Sequence, residues 1–261
     1  MFETTGRAIA SGFAWMGDLS LFGARVLRDA FRPPFEFREI SRQIYELGLR
    51  STPLITVAGF AVGVVLSMHT RSSLERFGAE SMIPAGLAIA LVRETGPLVC
   101  GLLLAGRIGA GIGAELGAMR VTEQIDALEA TAVDAFKYLV VTRTIACVLA
   151  APILTTVMNF AGILGGYVAE TTISGMSFDL YMRRAFSFID YADYVPATIK
   201  TMVFGFLIAV VSSYLGFFTE QGTEGVGRAS TRAVVFSSVA IIVINVVLVK
   251  LIFFMLPGKL A

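Results

Sequence analysis

The stretch Leu87–Asp134, LAIALVRETGPLVCGLLLAGRIGAGIGAELGAMRVTEQIDALEATAVD, decides how the chain reads. It opens as an apolar run fit to cross a bilayer, yet carries Arg93 and Glu94 side by side. It then thins into glycines at Gly106, Gly109, Gly111, Gly113 and Gly117. It ends in Thr122 to Glu129, a segment too charged to stay in lipid. One continuous piece thus joins an intramembrane charge pair, a close-packing helix face and a soluble contact surface. Energy supplied at one end could move something at the other.

The surrounding chain fits that reading. Of 261 residues, 56% are hydrophobic and 16% charged, and mean hydropathy is +0.76. Soluble domains run nearer a quarter charged, so the chain is an integral membrane protein. A net charge of +1 argues against nucleic acid as a partner. Cys100 and Cys147 sit far apart in apolar runs and read as small buried hydrophobes. Asp18, Arg25 and Arg28 interrupt the first thirty residues, so no cleavable signal peptide is expected there.

An apolar face of Phe2, Ile9, Phe13 and Met16, with Trp15 beside it and Arg7, Arg25, Arg28 and Arg32 around it, suggests an N-terminal interfacial helix. Pro33 and Pro34 stop that element. Ile40, Ile44 and Leu47 then mark an amphipathic turn or two opposite Arg38, Glu39 and Arg42. Five spans follow, judged by the roughly 20 residues a bilayer requires. They are Pro53 to Met68, Ile83 to Ala105, Thr144 to Ala169, Val195 to Phe218 and Ala233 to Leu256. The expected fold is all-α: an N-terminal interfacial amphipathic helix plus five transmembrane helices. Residues 1–50 form the amphipathic part and 51–261 the transmembrane domain, with a projecting segment at about 118–134.

Thirteen lysines and arginines fall on the N-terminal side of the spans and five on the other. The positive-inside bias therefore puts the N-terminus in the cytoplasm and the C-terminus outside. From Ile83 to Met119 the low-charge pattern would run about 55 Å as one helix. It either continues into the cytoplasm or breaks at Gly96-Pro97, where proline removes a backbone donor. The stretch Glu170 to Tyr194 is too short for a domain and reads as a small helical cap.

An ionisable residue at membrane depth is costly unless paired or facing water, so Arg93 and Glu94 are functional candidates. Neighbours on a helix point about 100° apart and cannot simply pair with each other. Each needs another helix, a polar cavity or a lipid headgroup, and an ion pair that only fixes packing is the plain alternative. Gly109, Gly113 and Gly117 share a face, as do Gly59/Gly63 and Gly162/Gly166; such spacing lets helices approach closely in lipid. Thr122 is placed to cap a short helix with Glu123 in its first turn. Ile125 and Leu128 would give that helix a small apolar edge suited to a groove on a soluble partner.

Other chemistry is thin. His69 is the lone histidine and forms no metal site without ligand-spaced neighbours. Gly222 to Ala229 departs from a phosphate loop, with arginine for lysine and alanine for serine or threonine. No hydrolase, zinc-protease or CxxC pattern occurs. The chain is expected to be no enzyme and to hold no cofactor.

Taken together, LVRETGPLVCGLLLAGRIGAGIGAELGAMRVTEQIDALEATAVD resembles the signature of the MlaE/YrbE family, with Pro34-Phe35-Glu36-Phe37-Arg38 and Gly227-Arg228-Ala229-Ser230-Thr231-Arg232 in support. Ala135 stands where that family commonly has proline, and His69 where glutamine is expected. The resemblance implies the permease subunit of an MCE-associated ABC transporter. Such a system moves phospholipids between bacterial inner and outer membranes and maintains outer-membrane lipid asymmetry.

It also implies a homodimer in the inner membrane with a lipid cavity between protomers. The implied partners are a cytoplasmic ATPase (MlaF), which binds the ATP and Mg, its STAS partner (MlaB) and a periplasmic MCE hexamer (MlaD). In that picture Glu123, Gln124, Asp126 and Glu129 couple to the ATPase. Arg93 and Glu94 lie near the lipid, with Leu66, His69, Phe77 and Val243 as further lipid contacts. The alternative is an ion-coupled secondary transporter relaying charge through Arg93, Glu94 and Lys200; the absence of a two-fold internal repeat counts against it.

Overall fold

Apolar composition over 20 to 30 residues leaves backbone groups no partner in lipid except each other, so the runs become helices. The computed structural model describes residues 2–220 and 222–255, with side chains from Phe13 onward. Among these residues there is no strand. Helix α1 covers Phe2–Ala30, α2 Phe37–Phe77, α3 Glu80–Val121 and α4 Gln124–Ala130. Then come α5 over Phe136–Ser174, α6 over Phe178–Phe186, α7 over Tyr191–Phe217 and α8 over Gly222–Met255.

Five of these, α2, α3, α5, α7 and α8, are long and apolar enough to cross a membrane. All five expected spans are present; each begins earlier than its apolar stretch, and the first three also run on past its end. The amphipathic turns around Ile40 are the start of α2, so the 50/51 boundary falls inside a helix. Its inward face there is not the apolar one alone: Glu39 and Gln43 are buried. Gln43 Nε2 donates to Glu39 Oε1 at 2.7 Å and Tyr138 OH to Glu39 Oε2 at 3.3 Å. Helix α1 ends ahead of Pro33-Pro34 as expected. Phe22 and Val26 seat it against Phe136, Val140, Val141 and Val210, and Trp15 stacks on Phe236 at 4.8 Å. Phe13 and Met16 stay exposed; Phe2 and Ile9 lie outside the described side chains.

Helix α3 does not break at Gly96-Pro97. Its 42 residues span about 63 Å at 1.5 Å per residue. The chain absorbs the proline by widening into a π turn over Leu91–Thr95, where the Gly96 N–H reaches the Leu91 carbonyl. A second π turn covers Ala105–Gly109. Every fourth residue of the helix, Cys100, Leu104, Ile108, Ile112 and Leu116, enters one core with Ile55, Leu139, Met158, Phe204, Ile208 and Ile241.

In lipid, helices associate through close packing rather than hydrophobic expulsion, so the glycines decide the crossings. A methyl group on Gly63 would lie 1.8 Å from the Gly162 carbonyl oxygen, and one on Gly165 would lie 2.1 Å from that of Phe60. Helices α2 and α5 therefore touch backbone to backbone. The α3 glycine face meets α7 and α8: Gly113 lies against Ala233, and Gly109 against Ser212. Helix α8 is the exception to this burial, with only 6% of its most apolar window covered.

Candidate functional site

Pro97 and the π turn before it set the site, because they fix where residues 93 and 94 point. Arg93 Nε donates to Asp193 Oδ1 at 2.8 Å. Lys200 Nζ donates to Glu94 Oε1 at 3.0 Å and to the Arg93 carbonyl at 3.0 Å. Asn245 Nδ2 reaches Glu94 Oε2 at 3.3 Å. Thus neighbours that cannot pair with each other each find an opposite charge on α7, where Asp193 and Lys200 sit seven residues apart on one face.

Burial is unequal across this network. Asp193 is 4% and Lys200 2% exposed, whereas the Arg93 and Glu94 side chains keep 30% and 44%. The first two are anchors and the second two are what the site presents. Asp193 is held further by its own helix start, accepting the Asp190 N–H at 3.1 Å. Arg93 and Glu94 line a cavity of about 70 Å³, with Ala192, Asp193, Pro196 and Ala197 of α7 and Val249, Ile252 and Phe253 of α8. Six of the nine lining residues are apolar, and the other three are the charged Arg93, Glu94 and Asp193.

Leu66 is half-buried against the cluster around Leu87 and Tyr181. His69 is exposed, and its carbonyl accepts the Ser72 and Ser73 hydroxyls. Phe77 and Val243 are 83% and 60% exposed. None of these four lines the cavity at Arg93.

At the opposite end of α3 stands α4. Thr122 does not cap it: its hydroxyl donates back to the Ala118 carbonyl at 2.8 Å. The cap position belongs to Glu123, in a left-handed conformation with φ of 57°, an uncommon one for a residue with a side chain. Gln124, Asp126 and Glu129 are exposed, and Asp126 pairs with Arg120 at 2.6 Å. The expected apolar edge is not offered outward. Ile125 is 0% exposed and belongs to the core, with Leu128 packed beside it. A short helix with one strong apolar residue buries it against its own chain first.

Two further ion pairs lie beyond what the sequence shows, one between a buried arginine and a half-exposed glutamate and one buried on both sides. Arg143 Nη2 binds Glu115 Oε1 at 2.7 Å, and its Nη1 donates to the Leu139 carbonyl at 2.8 Å. Near the cap helix α6, Arg71 binds Glu170 and lies 3.7 Å from Glu80. Burial, then Glu170, pushes the Tyr181 hydroxyl there well above its ordinary pKa. Cys100 and Cys147 are free and buried. Among the described residues no group of histidines, cysteines and carboxylates could hold a metal ion.

Comparison with known proteins gives this geometry a setting. The family model described as Permease MlaE matches residues 40–251. The chain belongs to that family. It is 37% identical over 238 residues to a probable ABC transporter permease protein of Rickettsia bellii, covering 91% of this chain and 92% of that one. It is 31% identical over 236 residues to the intermembrane phospholipid transport system permease protein MlaE of Haemophilus influenzae, covering 89% of each. A chloroplastic relative, the protein trigalactosyldiacylglycerol 1 of Arabidopsis thaliana, is 31% identical over 239 residues, 91% of this chain and 68% of that one. The family membership makes the chain a permease subunit of an ABC transporter, a multi-pass inner-membrane protein working with an ATPase and other subunits.

Proposed function

We propose that this permease moves phospholipids between the inner and outer membranes and so maintains outer-membrane lipid asymmetry. The observation that carries the reading is the niche at Arg93: a part-exposed guanidinium, anchored by a buried carboxylate, lining a largely apolar cavity. Asp193 takes Nε, and among the described residues Arg93 makes no second side-chain hydrogen bond. Its terminal nitrogens suit a phosphate, which a guanidinium binds through paired hydrogen bonds. The phospholipid-transport name of the Haemophilus relative supports the same choice of substrate.

In this reading two copies form the transporter, with the uncovered face of α8 at Val239, Val243 and Val246 turned toward lipid cargo or the second protomer. The N-terminus is cytoplasmic and the C-terminus periplasmic. Glu123, Gln124, Asp126 and Glu129 meet an ATPase of the MlaF kind, assisted by MlaB, and an MlaD-type ring sits on the periplasmic side. ATP and Mg act on the ATPase, not on this chain. Closure of the ATPase moves α4, and α3 carries the movement to Arg93.

The test is reconstitution with the ATPase and partners in vesicles holding labelled phospholipid. Arg93→Ala is expected to reduce ATP-dependent transfer while leaving the complex assembled. Wild-type transfer by that variant would remove the headgroup contact. Transfer by the permease alone under an ion gradient would replace this reading with the secondary-transporter one.

A further inference from the structure

Lys200 is the most deeply buried cation of the charge network, with 1% of its side chain exposed, so it does not present itself to cargo. Its ammonium instead divides between two acceptors, the Glu94 carboxylate and the Arg93 carbonyl, each at 3.0 Å. The second acceptor needs an explanation. In an α-helix the Arg93 carbonyl would receive the backbone N–H of residue 97, and residue 97 is proline, which has none. A part-buried carbonyl left without its helical donor is destabilising, so a donor must come from elsewhere. Lys200 supplies it from across the α3–α7 crossing.

We propose that Lys200 is a positioning residue: it replaces the backbone donor lost at Pro97, and so pins the π turn that aims Arg93 at the cavity. Paired with Glu94 alone, Lys200 would be an interhelical ion pair of ordinary kind. Its bond to the carbonyl ties the charge to the main chain at the residue whose side chain faces the cavity. Asp193 then holds the Arg93 side chain and Lys200 its backbone, both from one face of α7.

The test uses the full permease in lipid nanodiscs and reads amide hydrogen exchange over Leu98–Leu103, the turn after the proline. Lys200→Met is expected to speed exchange there about tenfold, the effect of losing one buried hydrogen bond to a charged donor. Pro97→Ala restores an N–H at position 97, so Lys200→Met/Pro97→Ala should return to within about threefold of the parent. Lys200→Met/Glu94→Gln removes the unpaired carboxylate but not the orphan carbonyl, and should stay fast.

Equal exchange in Lys200→Met with and without Pro97→Ala would overturn the proposal. So would recovery by Glu94→Gln alone, or failure of both Lys200→Met and its Pro97→Ala partner to assemble. Assembly of the double variant where the single fails would support it. A second arm rests on the reading of Arg93 as the headgroup contact: phospholipid transfer should fall in Lys200→Met and recover with Pro97→Ala. Unchanged transfer beside the expected exchange pattern would refute that reading of Arg93 and leave the backbone clamp standing.

Discussion

The crossing of α2 and α5 offers the sharpest test of what holds the bundle together. A methyl group at Gly63 would sit 1.8 Å from the Gly162 carbonyl oxygen and 2.7 Å from its Cα. Ordinary carbon–oxygen contact is roughly 3.3 Å, so the helices must part by about 1.5 Å. Parting them also loosens Gly59 against Met158 and Gly165 against Phe60, where a methyl would lie 2.6 Å and 2.1 Å from backbone oxygens. The obstacle is main chain, which has no rotamer to yield. Gly63→Ala should therefore destabilise by about 3 kcal/mol, the upper part of the usual overpacking range, or about a hundredfold in the unfolding equilibrium.

Gly86→Ala is the matched control. Its methyl would meet only Thr70 Cγ2 at 3.9 Å, and it stands in helical backbone. Relief of glycine's entropy there should gain about 0.5–1 kcal/mol. Both variants can be compared by reversible unfolding in mixed micelles against the parent. Equal effects at the two positions, or a Gly63→Ala protein as stable as the parent, would refute the argument that backbone contact fixes this crossing.

Other expectations are briefer. Arg71→Met leaves the Glu170 carboxylate buried without its partner and should cost about 3–5 kcal/mol, whereas Arg71→Met/Glu170→Met should recover much of it; the same unfolding assay reads both. Ile125→Ala should cost about 2–4 kcal/mol in the isolated permease because the side chain is core, and a change seen only in the presence of the ATPase would contradict its burial. Glu123→Lys/Glu129→Lys spares the Arg120–Asp126 pair and should weaken ATPase copurification without affecting membrane insertion. Glu123→Gly should relieve about 1 kcal/mol of left-handed backbone strain, and a loss of stability instead would show that its side chain holds the cap.

Much of this architecture is legible from composition because lipid enforces it: a long apolar run has to be a helix, and all five runs are. The lengths are less legible, since charged turns such as Phe37–Gln43 and Ala110–Val121 continue the same helices past the apolar windows. The small-residue face of α3 and the glycines of α2 and α5 do pack as their spacing predicts. Thr122 misled because a threonine near a helix end can bond forward as a cap or back to the carbonyl four residues earlier, and sequence does not choose. Partnerships were hidden for another reason. Asp193 lies 100 residues from Arg93, and only the fold brings them together. That Arg93 and Glu94 require partners is readable; which partners is not.

The burial of Ile125 has a mechanical consequence for the whole molecule. The acidic helix is rooted, not tethered: extracting that one side chain would expose an isoleucine at a penalty of roughly 2–3 kcal/mol. A hand pressing on its outer surface therefore cannot merely bend a loop. Displacement there works against the core that Ile125 shares with Leu116, Ile112 and the rest of the α3 spine, as a lever works against its fulcrum.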